Sequence, residues 1–98
     1  MLNEQQINYL SSFKFINVID CNIKVLTEFD IKPLPAKPSV VGRVIIILNI
    51  FFKGDKLSQL SFDLQNYNYD ELIEIAKNIK SNDFIMYELD SYLAGDIE

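Results

Sequence analysis

The stretch VIIILNIFF, residues Val44 to Phe52, restricts the possible folds more than any other part of the sequence. It is apolar except for Asn49, and its richness in β-branched Val and Ile favours a strand over a helix of the same length. A membrane-spanning helix needs about twice as many apolar residues. We therefore expect this stretch to be the central strand of a sheet, and we expect no membrane span.

A partner strand is predicted directly after a turn at Gly54 and Asp55. In residues 57 to 64, apolar Leu and Phe alternate with Ser and Asp, which is typical of a half-buried antiparallel strand. A loop one residue longer than a two-residue turn would pair Ile50 with Leu60 and gives one solidly apolar face, so this is the register that we expect.

The other face of the central strand remains apolar in that register. Ile45, Ile47 and Phe51 lie on it beside Asn49. Both faces of the sheet therefore need cover, either from helices of this chain or from another molecule.

Two further strands are predicted before the central one. Residues 13 to 20 and 22 to 30 are rich in Phe, Ile, Val and Thr and roughly alternate apolar with polar residues, as in a hairpin. The segment IKPLPAKPS, residues 31 to 39, then contains three prolines, which lack an amide donor and restrict the preceding residue to extended geometry. We expect a stiff connecting loop there.

Two helix starts carry the pattern of a capping box, in which an Asn side chain and a Gln or Glu side chain bond each other's backbone amides. Asn3 is followed by Gln6, and Asn68 is followed by Glu71. Apolar residues at helical spacing follow each pair. The predicted helices cover residues 4 to 12 and 69 to 80.

A third helix is predicted for residues 84 to 94, where apolar residues form a helical stripe, although a strand is the alternative for FIMYELD. The chain is thus expected to be one α+β domain, residues 1–98. It should have an N-terminal helix, an antiparallel sheet of about four strands and two C-terminal helices packed on the sheet.

Composition places this domain in a reducing compartment. The apolar fraction of 49% among 98 residues is that of a globular protein with one core. Its single cysteine, Cys21, cannot form an internal disulfide, and the N-terminus lacks the basic and apolar regions of a signal peptide. We expect a cytoplasmic protein in which Cys21 is a small buried apolar residue.

The residues of common catalytic sites are absent from the sequence. It has no histidine, and its three glycines are scattered, so no phosphate-binding loop can be formed. Asp20, Glu28 and Asp30 could supply oxygen ligands to Mg²⁺, but their spacing matches no known loop and solvated charges are the simpler interpretation. We expect no enzymatic activity, no metal and no cofactor.

Acidic residues are concentrated near the C-terminus. Residues 63 to 98 contain nine acids and two lysines, a net charge of −7, whereas the first 62 residues have a net charge of +2. An acidic surface repels nucleic acid and anionic membranes and accelerates encounter with a basic protein. A basic protein is therefore the expected partner, and neither nucleic acid nor a membrane is expected.

Four of the five tyrosines lie in the same acidic third. Tyr offers a large contact area and a polar tip, so Tyr and carboxylates together form a usable binding surface. The alternative is that the acids are solvated helix faces and that Tyr92, with Tyr87, belongs to the core. The candidate partner-binding residues are Tyr67, Tyr69, Asp70, Glu71, Glu74, Tyr87, Glu88 and Asp90.

These residues, together with the closing stretch YELDSYLAGDIE, give the chain a character that resembles bacterial toxin-neutralising immunity proteins. Immunity proteins of contact-dependent growth-inhibition toxins are included. The resemblance implies a protein that binds a cognate toxin, often a basic nuclease, and occludes its active site or its substrate-binding surface. Phage-borne inhibitors of host nucleases have the same character.

A structural role is the alternative from a different class. The surplus apolar face of the strand at residues 44 to 52 could be covered by a second copy of the chain, either across a two-fold axis or by edge-to-edge pairing. The protein would then be an oligomerising subunit, for instance a homodimer.

Overall fold

The fold is an antiparallel sheet of four strands accompanied by three helices, as the sequence predicted. The computed structural model describes residues 2–33, 44–64 and 66–95, with the backbone alone at residues 33 and 44. A short 3-10 turn separates the two C-terminal helices. In chain order the elements are α1 (Glu4–Ser12), β1 (Lys14–Asp20), β2 (Ile23–Pro33), β3 (Val44–Phe52), β4 (Asp55–Asp63), α2 (Tyr69–Lys77), the 3-10 turn (Ile79–Ser81) and α3 (Asp83–Gly95).

Both predicted capping boxes are present. Asn3 Oδ1 accepts from the Gln6 amide at 2.8 Å, and Gln6 Oε1 accepts from the Asn3 amide at 3.0 Å. The corresponding distances for Asn68 and Glu71 are 2.9 and 3.4 Å. Each box satisfies two backbone donors that the first turn of a helix leaves free, which is why α1 and α2 begin where they do.

Helix α2 is shorter than the sequence suggested, because it ends at Lys77 and not at residue 80. The backbone leaves the helix at Asn78, whose φ and ψ are −131° and 48°. The Asn78 side-chain amide also donates to the Glu74 carbonyl at 2.9 Å, which satisfies one of the last carbonyls of the helix. The chain continues as the 3-10 turn.

A buried polar contact with the sheet accompanies this ending. Asn17 of β1 and Thr27 of β2 are both buried, and both donate to the Ala76 carbonyl, at 2.8 and 3.1 Å. Asn17 Oδ1 in turn accepts from the Ile79 amide at 3.3 Å. The sheet therefore provides the hydrogen bonds that a longer helix would have made within itself. We call these four residues the α2 tie.

The strands follow one another in space in the order β1, β2, β3, β4, each antiparallel to the next. The apolar strand β3 is central, as expected, because β2 and β4 pair with its two edges. Strand β2 extends to Pro33, so the first residues of the predicted proline loop belong to the sheet. The remainder of that predicted loop, residues 34 to 39, lies outside the described residues.

The expected register between β3 and β4 is wrong by two residues. Leu48 lies opposite Leu60, where Ile50 was expected. Lys53 and Gly54 form a two-residue turn with φ of 51° and 83°, the pattern of a type I′ turn, which matches the twist of the flanking strands. A shift of two residues keeps every side chain on its predicted face, so the assignment of the apolar face is correct.

An irregularity near the turn explains the shift. Phe51 lies opposite Lys56, but the next residue, Ile50, lies opposite Ser58. Leu57 is therefore an extra residue in β4, which is the definition of a β-bulge. The bulge restores the alternation that a two-residue turn alone would have inverted.

All three helices pack on one face of the sheet. Helices α1 and α2 contact β2, α2 also contacts β1, and α3 contacts β4. Their buried side chains join those of the sheet in one core, where exclusion of apolar area from water is the main stabilising term. The buried apolar residues are Leu10, Phe13, Val25, Phe29, Ile46, Leu48, Ile50, Phe52, Phe62, Leu72, Ala76, Ile79, Ile85 and Leu89.

The opposite face of the sheet carries the alternate side chains of each strand, and we call it the open face. None of the described helices packs there. Ile16 and Val18 of β1 are 58% and 63% exposed on it. On the two central strands the open face comprises Lys24, Leu26, Glu28, Asp30 and Lys32 of β2 and Ile45, Ile47, Asn49 and Phe51 of β3.

Candidate protein-binding surfaces

Three of the candidate residues meet near the N-terminus of α2. Tyr67, Tyr69 and Asp70 line a cavity of about 360 Å³ together with Leu2 and Gln6 from the start of the chain. The capping boxes fix this arrangement, because they set the direction in which α1 and α2 enter the fold. We call Tyr67, Tyr69, Asp70 and the neighbouring Glu71 the α2 patch.

The tyrosines of the α2 patch contact aromatic rings below them. Tyr67 stands edge-on to Phe62, with ring centroids 5.0 Å apart. Tyr69 is half-buried, and its ring lies 6.2 Å from that of Tyr9. Desolvation raises the pKa of Tyr69, with smaller contributions from Tyr9 and Asp70, so the phenol keeps its proton and can donate a hydrogen bond.

The carboxylates of α2 are exposed but take part in local hydrogen bonds. Glu71 Oε1 closes the capping box, so this side chain supports the helix as well as the surface charge. Glu74 accepts from the Asn78 side chain at 2.9 Å and lies in a separate shallow cavity beside the 3-10 turn. Glu74 is therefore apart from the α2 patch.

The outer face of α3 presents two exposed aromatic rings. Tyr87 is 69% exposed, and Phe84, three residues earlier and on the same side of the helix, is 54% exposed. Asp83 and Asp90 are exposed in the turns before and after them. We call these four residues the α3 patch.

Sequence reasoning identified Tyr87 and Asp90 but missed Phe84 and Asp83. Helical spacing could have found both, because Ile85 and Leu89 face the core and the two residues before Ile85 therefore lie on the outer side of the helix. Glu88, also a candidate, is half-buried and lies between the buried face and the α3 patch.

The eight candidate residues do not lie on one continuous surface, because the two helices that carry most of them pack on different strands. Helix α2 lies over β1 and β2, whereas α3 lies over β4 and contacts the 3-10 turn. The structure thus gives two acidic and aromatic patches on one helix layer. Glu74 lies beside the 3-10 turn between the two helices.

Tyr92 has a structural position. Its ring stands edge-on to the buried Phe52 at 5.6 Å, and its hydroxyl donates to Asp55 Oδ2 at 2.8 Å. The alternative interpretation of the tyrosines is therefore correct for Tyr92, which packs on the core, and wrong for Tyr87, which is exposed.

Asp20, Glu28 and Asp30, which could supply oxygen ligands to Mg²⁺, each have another partner. Glu28 lies 3.9 Å from Lys14, and Asp30 lies 3.6 Å from Lys32. The thiol and the backbone amide of Cys21 both donate to Asp20 Oδ1. These bonds lower the pKa of the Asp20 carboxyl, the thiol bond more than the amide bond. Within the described ranges, no group of three or more His, Cys, Asp or Glu residues could hold a metal ion.

Cys21 itself is exposed at the turn between β1 and β2, so the expectation that it is buried is wrong. A hairpin turn offers no interior for a side chain, since the residues of a tight turn point toward solvent. In the part of the chain that the structure describes, no helix is both long enough and apolar enough to span a membrane.

The open face contains an apolar cleft at one end. Ile16, Leu26 and Phe51 supply its apolar lining, Lys24, Lys53 and Glu28 its charged lining, and its volume is about 410 Å³. In the middle of the face, Asn49 Oδ1 is buried and has no hydrogen-bond partner. The expectation that both faces of the sheet need cover is thus unmet on this side by the described residues.

No family model matches the chain, and no curated protein and no solved structure shows a significant similarity to it.

Proposed function

We propose that this protein is a small cytoplasmic inhibitor of immunity type, which binds a basic toxic protein through its acidic helix layer and blocks that protein's active site. The observation that carries the proposal is the α3 patch. Two aromatic rings that are more than half exposed stand between two carboxylates on the outer face of one helix.

Exposure of aromatic rings to water costs free energy, and aromatic residues are enriched among those that dominate protein interfaces. Phe84 and Tyr87 lie on a helix that the sheet holds rigid through the buried Ile85 and Leu89. Little conformational entropy is therefore lost when a partner covers the two rings.

The surrounding charge defines the chemistry of the partner. Helix α3 contains three acidic residues and no basic one. On α2, Lys77 is exposed, and its ammonium lies 5.8 Å from the ring of Phe15 in β1. A partner with Lys and Arg around its active site, such as a nuclease, fits this field and would be steered toward it.

The α2 patch extends the same chemistry along the helix layer. Its Tyr69 hydroxyl can donate a hydrogen bond and its carboxylates are exposed, so it can donate to and accept from a partner at a second point. We assign it the supporting contacts of the interface and assign the central ones to α3.

The first partner to test is any adjacent reading frame that encodes a basic C-terminal domain. Its expression alone should stop growth, and coexpression with this chain should restore it. With the purified pair, Tyr87→Ala should raise the dissociation constant by about tenfold or more, because it removes a central aromatic contact. Asp90→Lys should slow association at low salt, and this effect should shrink as salt screens the charges.

Glu4→Gln on α1 is the matched control, since Glu4 is an exposed acid that lies outside both patches. It should leave both rate constants unchanged. A partner that binds the Tyr87→Ala and Asp90→Lys variants as tightly and as fast as the original chain would refute the role of the α3 patch.

A further inference from the structure

We infer that the open face is covered by a second copy of this chain, packed face to face with its strands antiparallel to those of the first. The resulting homodimer would leave the helix layers of both copies outward. This inference concerns a different surface from the α2 and α3 patches, so it stands or fails independently of the proposed function.

The first observation is the group of apolar side chains that β1, β2 and β3 present on the open face, whereas β4 presents Lys56, Gln59, Ser61 and Asp63 there. Ile16 and Val18 are more than half exposed, and Leu26 and Phe51 line a cleft that opens outward. Large apolar surfaces of this kind on a monomer mark sites of association. Antiparallel sheets that face water normally carry polar side chains on that side.

The second observation is Asn49, in the middle of the central strand. Its Oδ1 atom is shielded from water and accepts no hydrogen bond. An unsatisfied buried acceptor costs free energy unless a donor group bonds to it. Across a two-fold axis near this residue, the two Asn49 carboxamides face each other. Rotation of each carboxamide about χ2 would bring its shielded oxygen to the surface, and each Asn49 could then donate to the oxygen of the other.

Charge along the strands selects the antiparallel orientation. The end of the open face beside the β3–β4 turn carries three lysines, whereas the other end carries two carboxylates and one lysine. Antiparallel packing brings the basic end of each copy over the end of the other that carries the two carboxylates, with Lys24 near the partner's Lys32, and parallel packing would place all three lysines of both copies together. The lysines at the basic end are Lys24, Lys53 and Lys56, and the other end carries Asp30, Asp63 and Lys32.

The same orientation matches the apolar groups. The cleft formed by Ile16, Leu26 and Phe51 lies at the basic end, and Ile45 and Ile47 lie on β3 toward the other end. In an antiparallel pair, the cleft of one copy therefore faces Ile45 and Ile47 of its partner. Sheets packed in this way stand about 10 Å apart with interdigitated side chains.

The available area is sufficient for a modest dimer. Four strands spaced about 4.8 Å apart, each with up to nine residues over the face, present roughly 550 Å² per copy. The pair would bury roughly 1,100 Å², slightly above the lower limit of about 1,000 Å² for specific interfaces. We therefore expect a dimer that dissociates on dilution.

Sedimentation equilibrium over a range of concentrations tests the assembly. The original chain should show a reversible monomer–dimer equilibrium, and Ile16→Lys and Val18→Lys should each raise its dissociation constant by about tenfold or more. Both positions are highly exposed on the edge strand β1, so the monomer should still fold, which circular dichroism will verify.

Phe84→Lys is the matched control, because Phe84 is exposed to nearly the same extent on α3. It should leave the dimer intact. A monomer at every concentration would overturn the inference, as would a dimer that Phe84→Lys disrupts and Ile16→Lys does not. In the latter case the helix layer would be the self-association surface.

The exposed Cys21 provides a probe of orientation without any substitution. It lies in the β1–β2 turn, seven residues before Glu28, which is opposite Asn49. Nitroxide labels at Cys21 should thus be roughly 45 to 50 Å apart in the antiparallel dimer and under about 25 Å apart in a parallel one. A double electron–electron resonance distance in the shorter range would refute the antiparallel packing.

Discussion

Two buried polar side chains, Asn17 and Thr27, connect α2 to the sheet through backbone groups at the end of that helix. Their partners lie 59, 49 and 62 positions away in the sequence. No local pattern can reveal such contacts, because an Asn in an alternating strand looks like an outward-facing residue. The end of α2 was for this reason predicted too far along the chain.

Asn17→Ala should destabilise the fold by about 2 to 3 kcal/mol, because it leaves the buried Ile79 amide without an acceptor and also opens a small cavity. Thr27→Val is the matched control. It preserves side-chain shape, and the Ala76 carbonyl keeps its bond from Asn17, so the loss should be about 1 kcal/mol. Urea unfolding measures both values, and equal losses would contradict the central role of Asn17.

At the scale of elements, local signals located the helices well and left the hairpin register open. A capping box is specified by two residues three positions apart, so Asn3 and Asn68 were sufficient to find two helix starts. The register between β3 and β4 depends on the turn and on the bulge at Leu57 together. A bulge has no comparably strong sequence signal, and alternation alone gave the correct face but not the correct partners.

The β3–β4 turn should respond to substitution according to its positive φ angles. Gly54→Ala should cost about 1 kcal/mol, since the backbone conformation disfavours any side chain although no atom lies near the added methyl group. Lys53→Asn should stabilise the fold by about 0.5 kcal/mol, because Asn-Gly is the preferred pair in a type I′ turn. Thermal unfolding will compare the two, and a stabilising Gly54→Ala would show that the turn has another geometry.

For the whole molecule, the candidate site was predictable in composition but not in arrangement. Counting charges and tyrosines identified the acidic third of the chain and hence the helix layer. The division into an α2 patch and an α3 patch depends on which strands the helices cover, which is long-range information. The sequence also indicated that both faces of the sheet need cover, but it could not show that all three helices pack on the same face.

Amide hydrogen exchange should reflect the position of each strand in the sheet. The amides of β2 and β3 pair on both sides and contribute most of the core, so they should be the most protected. The edge strand β1 and helix α1, which has one fully buried residue, should exchange at least tenfold faster. Uniform protection across the four strands would indicate that the sheet opens as a single unit.

The succession of strands in simple chain order has a consequence during synthesis on the ribosome. Every pairing in the sheet joins neighbours in the sequence, so the sheet can assemble as soon as β4 has left the ribosomal exit tunnel. Helices α2 and α3 follow on the order of seconds later, at about 5 to 20 residues per second. During that interval the nascent chain would display bare apolar side chains on both sides of the sheet, and a chaperone that shields them would matter most then.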